Sequence, residues 1–149
     1  MQMTSSTDLV VARLGSALVA LREAKTIQDT KTVLDIAHAA EVYARRQSLG
    51  QDAINYAHDI KIEALAQLGR MLQEAPKNKG GDPVPHRNRV DEPPTLADLG
   101  LDKKTSSIAQ RLAALPPEQF DQVKAGTASI AQAIREVTHA NRTAVEAPV

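Results

Sequence analysis

An all-α fold follows from three features of the sequence. Apolar residues recur at spacings of three and four along most of the chain, the period of one helical face. The period-two alternation of a half-buried strand is almost absent. Apolar residues make up 42% of the 149 positions, many of them alanine, and Tyr43, Tyr56 and Phe120 are the only aromatic side chains. A core built mainly from alanine and leucine suits close helix packing better than a thick sheet sandwich.

The first seven residues read as a loose arm. Asp8 is placed to cap a first helix from Leu9 to about Lys25, with Leu14, Ala17, Leu18 and Leu21 on its apolar side. Thr26 and Asp29 mark a break. A second helix is expected from Asp29 to Gln47, where Val33, Ile36, Ala37, Ala40, Tyr43 and Ala44 share a face and Arg45 and Arg46 sit near the C-terminal carbonyls. Gly50 interrupts the pattern. A third helix spans Gln51 to Glu74 on a stripe of Ala53, Ala57, Ile60, Ala64, Leu68 and Met71. The short connection predicts that the second and third helices form an antiparallel hairpin. Ile54, Ile62, Leu65 and Leu72 broaden the apolar surface of the third helix, which predicts either a three-helix core or a dimer interface. Residues 8–74 thus read as a helical assembly domain.

Segment 75–94 changes character. Pro76, Pro83, Pro85, Pro93 and Pro94 forbid a continuous helix, and Gly80 and Gly81 add conformational freedom. The segment reads as a linker. Lys77, Lys79, Arg87 and Arg89 offer possible phosphate contacts, while Asp82, Asp91 and Glu92 dilute the positive potential, as in an ordinary solvated connection.

Residues 95–140 read as a second domain of four short helices. Thr95–Leu99 and Lys103–Leu115 form a helix-turn-helix pattern, with Ala97 as the small residue at their contact, Gly100 in the turn and Asp102 as the cap of the second helix. Leu99, Ile108, Leu112 and Leu115 supply the apolar side; Lys103, Ser107, Gln110 and Ala114 are expected to point outward, flanked by Lys104 and Arg111. Pro117 suits the first turn of a helix running through Lys124, which Gly126 ends. Ile130, Ala133, Ile134 and Val137 define a last helix.

Charge and motifs narrow the function classes. The chain carries 18 Lys and Arg against 18 Asp and Glu. Charge-driven coating of nucleic acid would need a basic excess, so any nucleic-acid binding is expected in one local patch, with two copies supplying useful affinity. With no cysteine there is no disulfide, thiolate metal site or thiol nucleophile. That absence of cysteine fits a cytoplasmic protein; no apolar run is long enough for a membrane span, and no charged segment followed by an apolar signal core opens the sequence. His38, His58, His86 and His139 include no pair with helical metal-ligand spacing. Neither a Walker-type phosphate loop nor a G-x-S-x-G elbow is present. A non-enzymatic protein without cofactor or metal is expected.

The run Leu96-Ala97, Leu99-Gly100, Ala109, Leu112 and Leu115-Pro116, continuing through Val123 and Gly126, resembles the helix-turn-helix of the ParB/KorB partition proteins. That resemblance covers about a third of the chain and implies sequence-specific duplex DNA binding, usually by dimers on palindromic sites. Two positions depart from the pattern: Ser106 stands where that family tends to carry an apolar residue, and Pro93-Pro94 stands where a preceding helix would begin. The chain as a whole also resembles small proteins of phages and integrated elements through Tyr43-Ala44-Arg45-Arg46, Ile60-Lys61-Ile62-Glu63-Ala64 and Gly69.

With Lys103–Leu115 taken as a recognition helix in the major groove, chemistry assigns the roles. Gln110 can pair with adenine, Arg111 with guanine or phosphate, and Ser107 with either. Lys103 and Lys104 would hold phosphates, joined by the hydroxyls of Thr105 and Ser106. The expected function is transcriptional regulation or DNA maintenance in a phage or mobile element, by a homodimer joined through its N-terminal helices. The alternative is a helical adaptor or inhibitor of a host protein complex, with Ile27, Tyr43, Tyr56 or the outward faces of the last helices as its contacts.

Overall fold

A computed structural model describes residues 5–75 and 95–146, with side chains through 143. Within them the chain is all-helical: α1 (Ser6–Glu23), α2 (Ile27–Arg46), α3 (Gln51–Glu74), α4 (Lys103–Ala113), α5 (Pro117–Ala125) and α6 (Ile130–Glu146). The linker assigned to 75–94 lies outside the described residues apart from Ala75, and so do Lys77, Lys79, Arg87 and Arg89.

Two helix starts fall earlier than the apolar spacing suggested, because a hydroxyl cap takes precedence. Ser5 Oγ accepts the backbone N–H of Asp8 at 3.1 Å. Ser5, not Asp8, is therefore the cap of α1, and Asp8 lies in the first turn, where its charge complements the exposed amides. Thr26 Oγ1 likewise accepts from Asp29 N at 3.0 Å and starts α2 at Ile27.

α3 is the spine. One core holds Leu14, Ala17 and Leu21 of α1, Val33 and Ala37 of α2, and Ala57, Ile60 and Ala64 of α3. This is the expected hairpin with α1 laid across it. A second core takes Ile62, Leu65, Leu68 and Leu72 of the same helix and joins them to Leu101, Ala109, Leu112, Val123 and Ala133. Ile62, Leu65 and Leu72 are thus covered by the chain's own C-terminal helices, so they are not available as the dimer surface their breadth suggested. For the same reason the boundary at 74 does not separate two independent cores. Tyr43, expected on the inner stripe of α2, is 44% exposed.

The first helix of the expected pair is a single hydrogen-bonded turn. Thr95 and Asp98 satisfy each other reciprocally: Thr95 N donates to Asp98 Oδ2 at 3.0 Å and Asp98 N to Thr95 Oγ1 at 3.1 Å. Leu101 N then reaches back to Leu96 O at 2.8 Å, and Gly100 reverses the chain at φ +73°. Five residues before a left-handed glycine are too few to offset the cost of helix nucleation. Ala97 is exposed and lines an open cleft with Gln28, Lys31, Thr32 and Asp35 of α2. The close helix contact is instead made by Gly69 of α3 and Ala109 of α4, where a Cβ on Gly69 would overlap the Ala109 carbonyl.

Candidate nucleic-acid interface

α4 begins at Asp102, whose Oδ1 accepts Thr105 N at 3.2 Å. Hydrogen bonding from Thr105, aided by the charge of Lys104, holds the Asp102 carboxyl below its ordinary value. This acid is thereby committed to the helix end. Ala109 and Leu112 set the inward side of α4, and Ser106 joins them at 3% exposure.

Burial of Ser106 corrects its assignment as a phosphate contact. Its hydroxyl lies inside and accepts the side-chain amide of Gln110 at 3.0 Å. Gln110 is correspondingly half-buried, with its amide turned back along the helix. At about 100° per residue, the outward arc of α4 is centred on Ser107 and Arg111 and not between Ser107 and Gln110. Lys103, Lys104, Ser107, Arg111 and Ala114 are all exposed on that arc. Thr105 is half-buried and tied to the Asp102 cap.

A second row of basic side chains extends this face. Arg135, His139 and Arg142 follow one another at i, i+4 and i+7 on α6, so they share one side of the helix. With Ile134 and Thr138 they form one wall of a cleft of about 340 Å³, and Arg111 of α4 forms the other. Among the described residues, Lys103, Lys104, Arg111, Arg135 and Arg142 make no ion pair with a carboxylate. The α6 cations were missed in the sequence, although their spacing was the available signal. The apolar Ile130, Ala133, Ile134 and Val137 face is the stronger pattern in that segment.

Polar contacts tie α5 to the hairpin. Lys124 Nζ of α5 bonds Glu63 Oε1 of α3 at 2.8 Å, and that carboxylate, with Asp59 and Asp121 nearby, raises the Lys124 pKa. His58 of α3 bridges the hairpin to α5. Its Nδ1 lies 3.0 Å from Glu41 Oε2 and its Nε2 lies 2.9 Å from the Val123 carbonyl. Lys61 Nζ donates to the other Glu41 oxygen at 2.8 Å. This polar cluster is an α2–α3–α5 clasp. The sequence suggested no such link, because its members are far apart along the chain.

Of the residues assigned to protein docking, Ile27 and Tyr56 are half-buried against the two cores. No helix among the described residues is long and apolar enough to cross a membrane. Comparisons of the chain with protein-family models, curated proteins and solved structures find no match.

Proposed function

We propose that this protein binds duplex DNA through the joined faces of α4 and α6, as a non-enzymatic regulator or maintenance factor of a phage or mobile element. The observation that carries the reading is the outward arc Lys103, Lys104, Ser107 and Arg111, continued across the cleft by Arg135, His139 and Arg142. A chain with no net charge has here collected five cations that have no ion-pair partner among the described residues.

In this reading the outward arc of α4 enters the major groove. Arg111 and Ser107 face base edges, and Lys103 and Lys104 hold the phosphates beside the helix start. Arg135 and Arg142 grip the adjacent backbone. Gln110 reaches a base only after exchanging its bond to Ser106 for one to adenine. One such unit makes few contacts, so two copies on an inverted repeat supply the affinity. The resemblance of the α4 segment to ParB/KorB helix-turn-helix units supports the same assignment, and a cytoplasmic location accords with it. The adaptor reading has less support, since Tyr43 alone of its three named contacts is exposed.

The test is fluorescence anisotropy of the full chain on random duplex over a salt series, followed by selection of bound genomic fragments. Salt-dependent binding and recovery of an inverted repeat support the reading. Absence of binding at low salt refutes duplex binding, and recovery of no common sequence refutes sequence-specific reading.

A further inference from the structure

The outer side of α1 exposes large apolar side chains that the described residues leave uncovered. Leu9 is 60% exposed, Val11 42% and Val19 51%. At about 100° per residue, Asp8, Val11, Ala12, Gly15, Val19 and Arg22 fall on one arc, opposite the buried Val10, Leu14, Ala17 and Leu21.

That arc is self-complementary about Gly15. Val11 and Val19 stand four residues to either side of it, and Asp8 and Arg22 stand seven residues to either side. An antiparallel copy related by a two-fold axis through Gly15 therefore sets Val11 against Val19 and Asp8 against Arg22, twice. Neither Asp8 nor Arg22 has an ion-pair partner among the described residues. The glycine is itself unexplained within one chain. Glycine weakens a helix interior, and a Cβ at position 15 would meet only Tyr56 Oη at 4.0 Å, an ordinary contact. A second helix crossing at that point gives the missing side chain a purpose, since it lets two backbones approach.

We infer that α1 is a self-association surface, pairing antiparallel with α1 of a second copy about Gly15. This goes beyond the DNA reading and is measured without DNA, so either can fail alone. A C₂ contact uses the same patch on both partners, which is what the mirrored order of charge and valine provides.

Sedimentation equilibrium of the full chain tests it. The unaltered protein is expected to dimerise with concentration. Asp8→Arg should weaken the dimer at least tenfold, and the double exchange Asp8→Arg with Arg22→Asp should restore it. Rescue by the double variant excludes helix loss as the cause, because Arg remains at position 8. Since the chain has no cysteine, Gly15→Cys should form an intermolecular disulfide on mild oxidation, whereas Ala20→Cys, on another side of α1, should not. A protein monomeric at all concentrations overturns the proposal. So does a dimer indifferent to the charge exchange, or equal cross-linking at both positions.

Discussion

Gly69 of α3 lies directly against the backbone carbonyl of Ala109 in α4. This is the contact that brings the two helices close enough for Leu68 and Leu72 to share a core with Leu112. Gly69→Ala must therefore move backbone, which no side-chain rotation can avoid. The expected loss is about 1–3 kcal/mol of unfolding free energy, the usual range for overpacking, measured by urea denaturation. Gly15→Ala should act in the opposite sense on the isolated chain, gaining up to about 1 kcal/mol from helix propensity, because a Cβ there meets only the Tyr56 hydroxyl at 4.0 Å, an ordinary contact.

The buried Glu41 carboxylate gives the fold an acid-sensitive element. Burial works to raise its pKa, but Lys61 and His58 outweigh that effect, and the net shift is downward from 4.5. A depressed carboxyl pKa means stability that is complete above the unfolded value near 4.5 and is lost as pH falls through the lower folded value. Glu41→Gln leaves Lys61 without its counter-charge and weakens the acceptor facing His58. It should cost about 1–3 kcal/mol near neutrality and flatten the fall in stability below pH 4.5. Thermal melts of both proteins between pH 3 and 7, a range of about four units spanning that shift, check the sign. An unchanged slope in the variant would remove Glu41 from the acid response.

Lys124 should behave in the opposite way. Its pKa is raised above 10.5, chiefly by the Glu63 hydrogen bond. Its contribution is therefore complete below 10.5 and lost as pH rises through the higher folded value. Lys124→Met should abolish that alkaline component, read from urea unfolding curves taken at neutral and at high pH.

The fold was legible where one helical face told the whole story. Leu14, Ala17 and Leu21 of α1 and Val33 and Ala37 of α2 are buried as their spacing indicates. α3 was harder, since apolar residues all round a helix show that it is widely covered without showing by what. On α4 the polarity of Ser106 concealed its burial, and that one residue turned the inferred outer face toward Gln110 and away from Arg111. The α5 clasp through His58 depends on contacts between distant segments, for which local spacing carries no signal.

Salt dependence separates the two rows of cations. Each phosphate contact contributes about 0.9 to the slope of log affinity against log salt on duplex DNA. Lys103→Ala with Lys104→Ala should therefore reduce the slope by nearly two if both hold phosphates, and weaken all sequences alike. Arg135→Ala with Arg142→Ala should do the same from α6. Arg111→Ala should cost about 1–3 kcal/mol on the selected site and less on random duplex, if it reads a base. Equal loss on both duplexes would assign Arg111 to phosphate.

Ser106 and Gln110 provide the test of how α4 reads sequence. The Ser106 hydroxyl is 3.0 Å from the Gln110 amide nitrogen, and its residue is only 3% exposed. Ser106→Ala keeps the volume close to native and removes only the acceptor that holds Gln110 back. Folding stability should change by no more than about 1 kcal/mol, the net worth of one hydrogen bond. The DNA effect then depends on Gln110 alone. If that side chain must leave Ser106 to reach adenine, releasing it beforehand should tighten the selected site and leave random duplex unchanged. Gln110→Ala in the same background should erase the gain. Weaker binding by Ser106→Ala on every duplex would mean that the hydroxyl itself touches phosphate, and that α4 rotates about its axis when DNA arrives.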